Sequence, residues 1–206
     1  MAEVKSGRSA ATRRRIVRAA HDLFVVHGYA GATFQHIADS AGVSVQTVYF
    51  HYGSKSKLLK EVIDTASVGD DAPVALLDRP EFTDLAALDD AEAVVQGWVE
   101  TSAAILDRVA PVLAVVRDAA GSDPDMAAQW AVNSGQRRAA HEAFVAVLTR
   151  LESLRPGLTA HEATDITIGL LSPELFLILT RECAWPTPRW QSWTTAQLAH
   201  ALLRPA

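Results

Sequence analysis

A single cysteine, no apolar run long enough to span a bilayer and no recognisable catalytic signature set the first limits on this 206-residue chain. Cys183 alone cannot close an intramolecular disulfide, and a lone thiol suits a reducing compartment. A membrane helix needs ~18 or more consecutive apolar residues. The longest apolar stretch, Ile166 to Thr180, is interrupted by Ser172, Pro173 and Glu174, which favours a pair of buried helices. The N-terminal region also lacks the apolar segment of a secretory leader. The expectation is a soluble, cytoplasmic chain with no membrane partner.

The chemistry that is missing is equally informative. There is no G-x-S-x-G elbow, no P-loop and no dinucleotide-binding glycine fingerprint. His141-Glu142 and His161-Glu162 begin like a zinc-protease helix, but the positions four beyond each histidine hold Val145 and Asp165, so neither face carries a second histidine ligand. No catalytic residue, metal site or cofactor is expected, and the chain reads as a non-enzyme. Segments of strand period and internal repeats are absent too, which leaves an all-α protein.

What is present begins with charge. The total is −5, yet up to Lys60 nine basic residues (Lys5, Arg8, Arg13, Arg14, Arg15, Arg18, Lys55, Lys57, Lys60) face only Glu3, Asp22 and Asp39. A segment of +6 is thus joined to a body of −11. That division suits a protein that touches phosphate with one end only. Arg13-Arg14-Arg15 lies in the first turns of a helix, where the macrodipole disfavours cations, so phosphate contact gives the run a purpose.

The stretch Thr33 to Lys55, TFQHIADSAGVSVQTVYFHYGSK, parses as a helix-turn-helix. Thr33 is placed to N-cap a short helix whose Phe34, Ile37 and Ala38 share one face. Gly42 supplies the left-handed turn, and Ser44 caps a second helix. In that second helix Val48 faces the first, leaving Val45, Gln46, Thr47, Tyr49 and His51 mostly outside. A short helix with small polar residues at its exposed start fits the major groove of DNA. Upstream, Ile16, Ala20, Leu23, Phe24 and His27 predict one apolar stripe on a first helix from Ser9 or Thr12 to His27, ended by Gly28. A fourth helix is expected over Ser54 to Val68.

With those residues in order and spacing, RRRIVRAAHDLFVVHGYAGATFQHIADSAGVSVQTVYFHYGSKSKLL resembles the TetR (tetracycline-repressor-like) family of transcriptional regulators. The resemblance covers roughly Thr12 to Thr65, and departs from the usual pattern at Ser56, where an acidic residue commonly follows Ser-Lys. It implies phosphate contacts from Thr33, Tyr49, His51 and Lys55, and from Thr47 either a phosphate or a base contact. Gln35, Val45 and Gln46 would face base edges, with Ser44 at the start of the same helix. Val45 and Tyr49 also admit structural roles, and His51 a capping one. Lys5 and Arg8 would reach the minor groove.

The domains expected are residues 1–68, an N-terminal three-helix DNA-binding head with the fourth helix as connector, and 69–206, a C-terminal helical bundle for ligand binding and dimerisation. In the body, helices are expected from Asp89 or Asp90 to Val109, from Pro111 to Ala120, and from Pro124 to Leu154. Thr159 with Glu162 forms a capping box for the next. The last two helices, Thr159 to Cys183 and Pro188 to Leu203, carry more apolar surface than one subunit can cover. The resemblance likewise implies a homodimer through these two helices, hence a pseudo-palindromic double-stranded DNA operator. It also implies an unidentified small-molecule effector held among Trp98, Ser102, Arg117, Trp130, Asn133, Arg137, Thr167 and Phe176. A ligand-responsive repressor is the expected function. The alternatives are an activator, or a ligand-independent DNA-binding or partner-docking protein.

Overall fold

The computed structural model describes residues 2–69 and 74–205, and for residues 2–8 the backbone alone. The Lys5 and Arg8 side chains, and the Asp70–Pro73 part of the expected linker, lie outside the described residues. The order of elements is α1 (Ala2–Gly31), α2 (Phe34–Ala41), α3 (Val45–Tyr52), α4 (Lys55–Val68), a 3-10 turn (Leu76–Asp78), α5 (Pro80–Ala86), α6 (Ala91–Ala120), α7 (Pro124–Arg150), α8 (Ala160–Leu170), α9 (Pro173–Leu177), a π turn (Ile178–Glu182) and α10 (Thr187–Leu202). The described residues contain no strand, only an isolated antiparallel bridge between Leu154 and Leu203.

The chain divides into two compact units that interleave in sequence. One is Met1–Ala66 with Pro111–Trp130, the other Ser67–Ala110 with Ala131–Ala206. The first unit leaves α4 at Ala66 and also takes in a later piece of chain.

In the first unit, α1 buries Ile16, Val17, Ala19, Ala20 and Phe24, while His27, expected on the same stripe, is exposed. Gly28 explains the difference. Its φ of 68° and ψ of 178° break α1 there, in a region of backbone space essentially reserved for glycine. The chain reverses and the Ala32 N–H donates to the Gly28 carbonyl at 3.2 Å. Thr33 then caps α2, its hydroxyl accepting from the His36 N–H, and Gly42 closes α2 in the left-handed conformation (φ 64°, ψ 43°). Ser44 caps α3 in the same way, accepting from the Thr47 N–H. Phe34, Ile37, Ala38, Val48, Leu58, Leu59, Val62 and Ile63 complete the buried interior of α1–α4.

The second unit is built around Trp98, Val99, Leu106, Phe144, Leu148, Phe176, Trp190, Leu198 and Leu202. Arg150 stitches its edge, donating to the Ala86 and Leu88 carbonyls at 3.0 and 2.8 Å. The Thr159–Glu162 capping box opens α8.

Two expectations about helix ends are corrected. Pro111 does not start a new helix but sits inside a continuous α6. A proline there costs ~3 kcal/mol in an isolated helix, offset here by the burial of Val109, Ala110, Val112, Leu113, Val115 and Val116 around it. The single helix expected over Thr159 to Cys183 is instead α8, a break at Leu171-Ser172, α9 and a π turn, because Ser172 adopts extended backbone and caps a helix that Pro173 begins. Ala160–Glu182 is long and apolar enough to cross a membrane by length and composition. Core helices pass that test as well, and this segment buries Ala163, Thr167, Leu171 and Phe176.

A Cβ at Gly28 would meet nothing within 4 Å, so Gly28→Ala probes the backbone alone. It is expected to lower unfolding stability by ~1–3 kcal/mol, whereas Gly135→Ala, in the open middle of α7, raises it by ~1 kcal/mol. Urea midpoints check both; a Gly28→Ala variant as stable as the parent would remove the strained turn from the account.

Candidate nucleic-acid interface and a buried polar cluster

The eight residues of α3 bury two, Val48 and Tyr52, and these lie four apart on one side of the helix. The opposite side is led by Gln46 and Phe50, also four apart, with Phe50 86% exposed. Tyr49 is 56% exposed, and its ring meets Phe34 edge-on at 4.6 Å, so the hydroxyl is carried outward on a supported ring. Val45, Thr47 and His51 are half-buried. The Ser44 and Thr47 hydroxyls bond to each other at 2.9 Å. On α2, the exposed Gln35 amide donates to Asp39 at 2.8 Å, which holds it along its own helix. Phe50 is the outward residue that sequence reasoning passed over. Its spacing from Gln46 was the available signal.

The basic residues of the first unit are partly engaged. Arg13 donates to Glu61 at 2.9 Å, and the Tyr52 hydroxyl together with that carboxylate holds its guanidinium above the ordinary range. Arg15 and Arg18 are exposed. Lys55 donates to the Tyr29 and Ala30 carbonyls at 2.6 and 3.4 Å, and burial lowers its pKa against the pull of Asp123. Burial, then Asp123 and Asp125, raises the Tyr29 phenol.

In the second unit, Asn133, Arg137 and His141 follow one another at intervals of four on α7 and share a face. Asn133 and His141 are buried. Arg137 donates to the Ser134 hydroxyl at 3.3 Å, and its pKa is lowered by burial, with Glu174 opposing. His141 lies 6.2 Å from Trp98, ring to ring. Trp98 stacks on Phe144 at 5.0 Å and meets Phe82 edge-on at 5.2 Å. Among the described residues, the Trp98 Nε1 and His141 Nδ1 atoms are buried without a hydrogen-bond partner. Burial, then the Arg137 charge, lowers the His141 pKa to about 4.

Of the expected effector residues, the structure therefore brings Asn133 and Arg137 onto one face of α7, and places Trp98 beside His141, which follows them on that face. Ser102 is half-buried one turn beyond Trp98 on α6. Thr167 is buried with its hydroxyl donating to the Ala163 carbonyl at 2.8 Å, and Phe176 packs on Trp190 at 5.0 Å. Arg117 and Trp130 belong to the first unit, where Arg117 is exposed and paired with Asp118 at 3.1 Å. Among the described residues, no three His, Cys, Asp or Glu side chains gather as a metal-ligand set.

Residues 16–62 match the model of the family described as bacterial regulatory proteins, tetR family. That stretch is thus of the tetR-family type. The chain is 38% identical over 63 residues to the HTH-type transcriptional regulator SrpR of Pseudomonas putida, a stretch making up 31% of this chain and 30% of SrpR. Less than a third of that curated relative's length is thus matched. Two solved structures share the fold over nearly the full chain. NalD, the secondary repressor of the MexAB-OprM multidrug efflux pump in Pseudomonas aeruginosa, superposes with a TM-score of 0.72 at 19% identity, covering 96% of this chain and 100% of NalD. SmeT, solved as a complex with triclosan, gives 0.71 at 18% identity, covering 94% and 92%. The tetR-family fold, an N-terminal helix-turn-helix with a helical C-terminal region, is therefore the fold of this chain.

His141 yields a pH prediction. Its folded pKa near 4 lies below the ordinary value of 6.5, so between those values the unfolded chain binds the extra proton. Its stabilising effect is complete above about pH 6.5 and is lost as the pH falls toward 4, by up to about 3 kcal/mol. Urea unfolding of the parent and His141→Leu at pH 7 and 4.5 checks this. A parent that loses no more stability on acidification than the variant would contradict it.

Proposed function

We propose that the chain is a sequence-specific DNA-binding transcriptional regulator that acts as a homodimer on a pseudo-palindromic operator and responds to a small molecule in its second unit. The observation carrying the reading is the outward face of α3, where Gln46, Phe50 and Tyr49 project from a helix capped at Ser44 and pinned by Val48 and Tyr52. A glutamine amide can pair bidentately with adenine, and an exposed phenyl or Val45 can meet a thymine methyl. Tyr49, Thr33, Thr47 and His51 would contribute phosphate contacts, which fix register without reading sequence. Gln35 joins the base readers only by exchanging its bond to Asp39 for one to a base.

Homodimerisation is supported by the second unit's terminal helices, where Ile178 is 43% exposed and Ile166, Leu170, Leu175, Leu179, Trp185 and Trp193 are half-buried. A second copy would cover them, and two heads would then meet half-sites about one helical turn (~34–36 Å) apart. Effector binding is supported by the unpartnered polar atoms of Trp98 and His141 beside aromatic walls, the mixture a ligand site uses. NalD's description as a repressor and SmeT's complex with triclosan make repression, relieved by a small organic molecule, the preferred direction. The chain passes between its two units within α4, α6 and α7, and a tilt of α4 on binding is the proposed signal.

Selection from a random-sequence duplex library tests this directly. An enriched sequence with two inverted half-sites is expected, and a parent chain that enriches nothing at low salt would sink the proposal. With that duplex in hand, Gln46→Ala should cost ~1–3 kcal/mol, confined to one base position per half-site. An unchanged base preference would remove Gln46 from the reading set.

A further inference from the structure

Two neighbouring rings of the second unit carry unused hydrogen-bonding capacity. Trp98 on α6 and His141 on α7 are 5% and 8% exposed, with their ring centres 6.2 Å apart. Among the described residues, the Trp98 Nε1 and His141 Nδ1 atoms are buried without a hydrogen-bond partner. The indole N–H can only donate, and a neutral imidazole can carry its hydrogen on Nδ1. A group that satisfies both atoms therefore presents an acceptor, and one oxygen or a pair of them suffices.

The surroundings indicate what charge that acceptor carries. Arg137 precedes His141 by one turn on the same face of α7. Burial first, and then the Arg137 charge, disfavours a positive charge on His141. Glu174, in the first turn of α9, favours the charged form of Arg137 against its burial, yet the positive field still reaches His141. The next cation along, Arg138, is tied to Asp165 at 2.7 Å. The potential beside His141 is thus positive, which favours an anion and repels an ammonium. The walls are apolar and aromatic: Phe144 covers one face of Trp98 at 5.0 Å, and Phe82 meets the ring edge-on at 5.2 Å.

We propose that the small molecule taken up by the second unit is an aromatic organic anion, a carboxylate in the simplest case, whose oxygens accept from the Trp98 indole and the His141 imidazole while Arg137 supplies the favourable charge. The inference rests on the proposed effector site and names the class of molecule that site takes. Three probes of one shape and different charge test it by calorimetric titration of the full chain at pH 7 and fixed ionic strength: phenylacetate, phenylacetamide and phenethylammonium. Phenylacetate should bind about tenfold more tightly than phenylacetamide, because charge-assisted hydrogen bonds are the stronger ones, and phenethylammonium should bind most weakly. Arg137→Gln should bring phenylacetate to within about twofold of phenylacetamide, and Glu174→Gln, which removes the opposing charge, should widen the preference. The second variant also covers the case in which the first does not fold. An unchanged preference in either folded variant overturns the proposal. Trp98→Phe keeps an aromatic wall and removes the N–H, and should weaken phenylacetate about tenfold; parent-like affinity overturns the indole's part and with it the site. Amide or ammonium binding as tight as that of phenylacetate overturns the anion while leaving an effector site in place. If none of the three binds, the proposal is overturned and the effector assignment of this cluster falls with it.

Discussion

Two buried side chains, Val48 and Tyr52, decide what the short third helix can offer to a partner. A helix of eight residues has almost no stability of its own, so α3 exists because these two residues lock one side of it into the interior formed with α1, α2 and α4. Once that side is fixed, the helical period dictates the other, and Gln46, Phe50 and Tyr49 stand outward without further instruction. The Ser44 cap and the left-handed Gly42 set where the helix starts, and Thr33 does the same for α2. A surface of this kind is rigid because its back is packed, which is what sequence discrimination by hydrogen bonds would require.

Charge is arranged around that rigid element in two ways. The segment through Lys60 is cationic within an anionic chain, which favours approach to a polyanion. Individual cations in it nevertheless hold structure. Arg13 joins α1 to α4 through Glu61, and Lys55 joins α4 to the end of α1. An exposed pair such as Arg13 with Glu61 is worth little, ~0–1 kcal/mol, so its effect is chiefly orientation. The second unit solves a different problem. It buries Asn133 and His141 along one face of α7 and leaves polar atoms of Trp98 and His141 without partners. Buried polar atoms of that sort cost stability unless something bonds to them.

Much of the first unit was legible in the sequence. Caps, periodicity and the Gly42 turn are local signals, and Thr33, Ser44 and Val48 behave in the structure as their spacing implies. What escaped was non-local or compensated. Pro111 reads as a helix start because the sequence shows the missing N–H but not the surrounding burial that offsets it. The break at Leu171-Ser172 was visible only as an interruption, since whether Ser172 bends the chain or turns its hydroxyl onto a helix depends on what Phe176 packs against. Lys55 was assigned by resemblance alone, and no local rule connects it to a carbonyl 26 residues earlier. His141 was dismissed with the zinc-protease pattern. Its proximity to Trp98 requires α6 and α7 to pack, which periodicity does not foretell.

The central claim is that the outward face of α3 reads base sequence. The most direct measurement compares affinity at physiological salt for a duplex enriched from a random library with that for a scrambled duplex of equal length and composition. Sequence reading predicts a preference of about a thousandfold or more for the enriched duplex. Equal affinity for the two would show that the face binds phosphate without reading bases, and would contradict the claim.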